Sequence, residues 1–124
     1  KMFGGTMRQS GILAAAALHA LENHRDRLVE DHANARRLAE GLASIPGLKV
    51  DLSEVETNMV FFDIAQDVSM NAAQLSDKLK SEGVLMLSTG PRRVRAVCHL
   101  DVDAKAIDRA IQIVATCVTG RVLV

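Results

Sequence analysis

The sequence predicts an α+β protein in which two long helices precede a mostly antiparallel sheet that carries helices on one face. Two observations support this class. Apolar residues recur at helical spacing up to about residue 42, and short apolar runs alternate with further helical stretches beyond residue 47. A chain of 124 residues has room for one domain, or for one domain and a piece of another. We therefore expect a helical segment over 1–46 and an α+β domain over 47–124.

The helical segment contains two predicted helices. The first, Gly11 to Leu21, is apolar on nearly every face, which predicts that it is buried. The second runs from about Arg25 to Leu42, where apolar residues recur at helical spacing among charged ones. Gly41 and then Ile45-Pro46-Gly47 end it.

Four strands and two helices are predicted beyond residue 47. The first strand alternates apolar and polar residues, as an edge strand does. The second strand is almost continuously apolar, which predicts burial on both of its faces. In chain order, the predicted elements are strands at 48–52 and 58–64, a helix at 71–82, strands at 84–87 and 93–99, and a helix at 103–118.

Composition argues against several functional classes. Fifteen basic and fifteen acidic residues cancel, which argues against a general polyanion binder. The chain has no Trp or Tyr and only three Phe, too few stacking platforms for a protein that binds single-stranded nucleic acid. No apolar run approaches the ~20 residues that span a bilayer. We therefore expect neither a nucleic-acid nor a membrane partner.

The two cysteines indicate the redox state of the cellular compartment in which the protein works. Cys98 and Cys117 lack a metal-binding spacing such as C-x-x-C, so no metal site is expected. In a chain with an adequate core, they are expected to be free, buried thiols. Free thiols fit a reducing compartment and predict a cytoplasmic protein.

The first eleven residues place two glycines and two cations, Lys1 and Arg8, in front of an alanine-rich helix. A helix N-terminus offers unpaired N–H groups and a favourable dipole to an anion. The alternative is that both cations simply flank a surface loop. The chain also opens without an initiator methionine, so we expect it to be a piece of a longer protein.

Arg95 is the other candidate binding residue. It stands on a predicted strand, in phase with Val97 and His99, and an arginine in an apolar strand is costly unless it is paired. It could pair within the protein with Asp63 or Asp101, or it could bind a ligand. The residue pattern leaves both interpretations open.

Four blocks of the sequence stand out as motifs: Lys1–Gly11, Leu28–Ala35 (L-x-E-D-H-x-x-A), Thr57–Phe61 (T-N-M-x-F) and Val94–Asp101 (similar to V-R-x-V-T-H-L-D). Together they resemble the L-threonine aldolases, which are pyridoxal-phosphate (PLP) enzymes of the aspartate-aminotransferase fold, also called fold type I. Two departures from the family pattern stand out: Thr6 occupies a position where a glycine is usual, and Cys98 replaces a threonine.

The resemblance implies that the chain is the C-terminal part of such an enzyme. Residues 1–46 would end the large PLP domain and link it to the small domain, which would be residues 47–124. The reaction implied is cleavage of L-threonine or L-allo-threonine to glycine and acetaldehyde. The Schiff-base lysine would lie upstream, so this chain would contain no catalytic residue and would be inactive alone.

The resemblance also implies roles for three residues. Arg95 would hold the α-carboxylate of the amino-acid substrate, and Arg8 and Lys1 would lie near the PLP phosphate of a neighbouring subunit. That arrangement implies a homodimer or homotetramer. Two alternatives stay open: a related PLP lyase that acts on aromatic β-hydroxy amino acids, and a non-catalytic module for anion binding or dimerisation.

Overall fold

Four helices and a four-stranded sheet form the part of the chain described by the structure, a computed structural model that covers residue 5 and residues 7–120. The predicted α+β class is confirmed. None of these helices combines the length and the hydropathy that crossing a membrane requires. The elements are α1 (Gly11–Asn23), α2 (Leu28–Ala43), β1 (Leu48–Lys49), β2 (Met59–Ile64), α3 (Ala72–Ser81), β3 (Leu87–Ser88), β4 (Arg93–Val97) and α4 (Ala104–Thr119), with a 3-10 turn at Leu52–Glu54.

The strands lie in the order β1-β2-β4-β3, and every neighbouring pair is antiparallel. Because side chains alternate along a strand, one face of the sheet collects the buried residues. Helices α2, α3 and α4 cover that face and form the core with it. The largest fully buried core residues include Leu42 of α2, Val60 and Phe62 of β2, Leu75 and Leu79 of α3, Val94 of β4 and Val114 of α4.

Local sequence signals set the ends of the helices in the α+β domain. Asn71 caps α3 by accepting a hydrogen bond from the N–H of Gln74, whose side chain in turn accepts one from the N–H of Asn71. Asp103 caps α4, because its carboxylate accepts a hydrogen bond from the N–H of Ala106. Gly83 just beyond α3 has a positive φ of 81°, the left-handed conformation expected there.

Two burial predictions are wrong for the described chain. Every residue of α1 is exposed, because no other part of the described chain covers this apolar helix. The second strand, β2, is buried on one face only. Its alternate residues Met59, Phe61 and Asp63 are exposed or partly buried, since the helices cover just the opposite face of the sheet.

Three strand boundaries also differ from the prediction. Strand β1 ends at Lys49, and Asp51 then accepts the N–H of Ser53 and starts the 3-10 turn. Strand β3 begins only at Leu87, because the N–H of Val84 donates to the Leu79 carbonyl at the end of α3. Strand β4 ends at Val97, two residues earlier than expected.

Both cysteines are free and buried, as predicted. Burial raises the pKa of the Cys98 thiol to about 11, and the nearby negative charge of Asp31 acts in the same direction. Burial also raises the pKa of Cys117. Asp31 is itself buried, and its carboxylate accepts two hydrogen bonds from the guanidinium of Arg27, at 2.9 and 3.1 Å. Because its pKa is raised to about 11, the Cys98 thiol stays protonated at neutral pH.

The raised pKa of Cys98 predicts a pH-dependent loss of stability in alkali. Above the usual thiol pKa, the unfolded chain loses this proton first, so the free energy of unfolding falls as pH rises toward 11. We expect Cys98 to account for a loss of about 1 kcal/mol at pH 10. Urea unfolding between pH 8 and pH 10.5 measures it, with Cys98→Ala as the reference. An equally steep decline in both proteins would contradict the assignment.

Candidate functional site

The face of the sheet opposite the helices carries an arginine-centred surface, which we call the outer face. The strand register fixes its arrangement: Arg95 lies directly across from Phe61 on one side and from Leu87 on the other. Side chains that lie directly opposite in antiparallel strands project to the same face. The outer face consists of Met59, Phe61 and Asp63 of β2, Leu87 of β3, and Arg93, Arg95 and Val97 of β4.

Arg95 lies at the centre of the outer face and has no partner among the described residues. Its Nε atom is buried and makes no hydrogen bond, and no ion pair reaches its guanidinium from the residues that the structure describes. An unpaired guanidinium that is partly removed from water is costly, and an anion that restores the lost hydrogen bonds offsets this cost. The guanidinium of Arg95 can therefore donate to an anionic group, and a planar carboxylate matches its fork.

The protein carboxylates considered as partners of Arg95 interact with other residues. Asp63 forms an ion pair with Arg93 at 3.6 Å. The carboxylate of Asp101 lies 3.6 Å from Nδ1 of His99. Neither interaction involves Arg95, so the internal-pairing interpretation finds no support in the described part of the chain. The same contact places His99 against the turn that follows β4.

Arg93 is held from three sides. Its guanidinium lies 3.6 Å from carboxylate oxygens of both Asp63 and Glu54. It also stacks over the ring of Phe61, with 5.2 Å between the guanidinium carbon and the ring centroid. Arg93 and Arg95 thus occupy the same face of one strand, yet among the described residues only Arg93 forms ion pairs.

Arg92, the third arginine of this segment, braces the turn beside the site. Its guanidinium donates to the backbone carbonyl oxygens of Ile64, Ala65 and Val68. These bonds tie the end of β2 to the start of β4, and so fix the strand pair that carries Arg95. Sequence reasoning missed this role, since backbone carbonyl partners leave no mark in the sequence.

The start of α1 provides a second set of anion donors. Arg8 is exposed and makes no ion pair with the described residues. Ser10 stands at the N-cap but makes no side-chain capping bond, so the N–H groups of the first turn keep their donor capacity. Gln9 just before it has a positive φ of 55°. Lys1 and Thr6, both singled out in the sequence, lie outside the described residues.

The structure does not bring the two candidate regions together, because Arg8 and Arg95 make no contact. A mostly apolar recess of about 260 Å³ near the sheet does not include Arg95 among its lining residues. It lies between β4 and the helices and is lined mostly by apolar side chains, among them Leu38, Met86 and Ile107. No group of three or more potential metal ligands occurs among the described residues.

Comparison with known proteins shows which family the chain matches. The family model of the beta-eliminating lyases matches residues 1–67, slightly more than half of the chain. The chain is 41% identical over 107 residues to low-specificity L-threonine aldolase 1 of Arabidopsis thaliana. It is 44% identical over 107 residues to the low specificity L-threonine aldolase of Escherichia coli K12. Each alignment covers 86% of this chain and 30% of the relative.

A solved structure shows the same fold. The cystine C–S lyase C-DES, in a form with glycine covalently linked to its PLP cofactor, superposes with a TM-score of 0.67 at 21% identity. The match covers 86% of this chain and 28% of that protein. The fold is thus that of part of a PLP enzyme, and the chain spans about 30% of the length of the aldolases that it matches. From the family model and the fold together, we conclude that this chain belongs to the beta-eliminating lyase family.

Proposed function

We propose that this chain is part of a PLP-dependent aldolase that cleaves L-threonine or L-allo-threonine to glycine and acetaldehyde. The observation that carries the proposal is the unpaired guanidinium of Arg95, held on a rigid sheet with its Nε buried and unsatisfied. The aldolase names of the relatives that are 41% and 44% identical support the choice of reaction. In this proposal, residues 1–46 end the large domain and link it to the small domain of residues 47–124, with α2 of the link packed into the core of the small domain.

Arg95 is assigned to the α-carboxylate of the amino-acid substrate. Two parallel N–H···O bonds from a guanidinium fix both the position and the plane of a carboxylate. Phe61 and Leu87 flank Arg95 on the neighbouring strands and limit the directions from which a ligand approaches. Holding the substrate in one orientation is a large contribution to rate, because small displacements from the reactive geometry are costly.

The residues at the start of α1 fit the phosphate of PLP. A guanidinium without an ion pair, Arg8, and a helix N-terminus without a side-chain cap are the donors that a phosphate group takes. We assign Arg8 and Lys1 to this phosphate, in the active site of a neighbouring subunit. When bound, PLP supplies the electron sink for breaking the Cα–Cβ bond. No residue of this chain is assigned to the proton transfers or to the covalent attachment of the cofactor.

Self-association is part of the proposal. The exposed apolar side chains of α1 have no cover within the described chain; Ile12 is 77% exposed and Leu21 is 66% exposed. A helix that is apolar on nearly every face is stable only when other protein surrounds it. We infer a homodimer or homotetramer of the complete protein. The two free thiols favour a cytoplasmic location.

The reaction can be tested on the complete protein of which we infer this chain to be part. Loaded with PLP, it is expected to release acetaldehyde from L-threonine or L-allo-threonine, followed by NADH oxidation through alcohol dehydrogenase. The 124-residue chain alone is expected not to exceed free PLP, because in this proposal the lysine that attaches the cofactor lies outside these residues. Faster aldehyde release from phenylserine would favour the aromatic alternative. Binding of small carboxylates without any aldehyde release would favour the non-catalytic module.

The role of Arg95 can be tested with Arg95→Lys in the same complete protein. Lysine keeps the positive charge but loses the two-pronged contact. We expect kcat/KM for L-threonine to fall by about one to two decades, since one charge-assisted hydrogen bond is lost. The melting temperature and the cofactor absorption spectrum are expected to change little.

The competing structural role of Arg95 predicts the opposite pattern. If Arg95 stabilises the fold through an internal partner, Arg95→Lys lowers the melting temperature while folded molecules keep their kinetic constants. Measuring both quantities on one preparation separates the two roles. Arg109→Lys, on the exposed surface of α4, serves as the matched control for an arginine-to-lysine change.

A further inference from the structure

Two arginines on the outer face compete in principle for the same carboxylates. Arg93 and Arg95 are two residues apart on β4, and both project from the face that carries Asp63. Asp63 lies directly across from Arg93 and is therefore a diagonal neighbour of Arg95. Diagonal neighbours in an antiparallel pair are about 7–8 Å apart, within reach of a long side chain. On β4, Arg93 therefore lies closer to Asp63 than Arg95 does.

We propose that Arg93 is a positioning residue: by holding Asp63, it keeps this carboxylate from pairing with Arg95 and leaves Arg95 open to the substrate. This inference rests on the proposed function, in which Arg95 binds the substrate carboxylate. Arg93 itself contacts no substrate in this proposal. It acts indirectly, by pairing with the carboxylate of Asp63.

The contacts of Arg93 suit this role. Each of its terminal nitrogens lies 3.6 Å from a different carboxylate oxygen: Nη1 from Asp63 and Nη2 from Glu54. The ring of Phe61 holds the guanidinium from its face, and the same ring lies directly across from Arg95. Phe61 thus stands as an apolar neighbour to both cations. Both carboxylates, Asp63 and Glu54, lie next to Arg93.

Lys49 is the other cation beside Asp63. It lies directly across from Asp63 on β1, on the side away from β4. In the part of the chain that the structure describes, Lys49 makes no ion pair with Asp63, although both line the same shallow recess. Arg93 is therefore the cation that pairs with Asp63 among the described residues, and the loss of Arg93 leaves the Asp63 carboxylate available to Arg95.

The test uses the complete, PLP-loaded protein and compares Arg93→Gln with the double variant Arg93→Gln/Asp63→Asn. In the single variant, Asp63 competes with the substrate for Arg95. We expect KM for L-threonine and the dissociation constant of glycine, measured by calorimetry, to rise about fivefold, the size of effect expected from one partly exposed ion pair. The value of kcat is expected to change less than about twofold, because bound substrate displaces Asp63.

The double variant is the decisive comparison, because it removes the competing carboxylate. We expect it to restore KM and glycine affinity to within about twofold of wild type, an outcome that a purely structural role of Arg93 does not produce. Arg109→Gln, an exposed arginine of α4, controls for the loss of one positive charge and is expected to leave both constants unchanged.

Three outcomes overturn the proposal. Unchanged KM and glycine affinity in Arg93→Gln show that Asp63 does not compete for Arg95. A raised KM that persists in the double variant shows that Arg93 contacts the substrate or shapes the sheet itself. A wild-type protein that neither releases acetaldehyde nor binds glycine refutes the proposed function, and this inference with it. Wild-type activity together with either of the first two results overturns the inference alone.

Discussion

The antiparallel pairing of β2 with β4 is the constraint on which the rest of the structure depends. Its register alternates residues between two environments: Val60, Phe62 and their partners on β4 enter the core, while Phe61 and Arg95 face outward. A slip of one residue would turn Arg95 into the apolar core and the core residues into solvent. Burial of the inner face therefore also fixes the position of the candidate binding group, and Arg92 locks the end of the same strand pair through three backbone carbonyls.

The distribution of charge on the outer face follows from that register. Glu54 and Asp63 form half-exposed ion pairs with Arg93, whereas Arg95 stands two residues further along β4 among apolar neighbours. A carboxylate that pairs with Arg93 is less available to Arg95. Keeping one arginine of a strand face paired, and the next one without a partner among the described residues, is thus a way to build a carboxylate site. The uncompensated charge costs stability until a ligand arrives.

Much of the fold follows from sequence patterns, because helical periodicity and capping residues act locally. The helix that starts after Asn71 and the one that starts after Asp103 were both predictable from such signals. Burial was less predictable: apolar periodicity marks a face that needs cover, but it does not say which part of the protein supplies the cover, as α1 and β2 show. Arg95 was identified from its strand phase and the family resemblance, whereas the role of Arg93 depends on cross-strand neighbours. The in-phase spacing of Arg93 and Arg95 was the one signal that could have suggested it.

Binding of the substrate carboxylate by Arg95, with Asp63 paired to Arg93, would be visible directly in a crystal structure of the complete protein with PLP and bound glycine. We expect two hydrogen bonds from the Arg95 guanidinium to the glycine carboxylate, at about 2.7–2.9 Å, with Asp63 still paired to Arg93. A glycine carboxylate held elsewhere, with Arg95 paired to Asp63 or to another protein carboxylate, would contradict this assignment of Arg95.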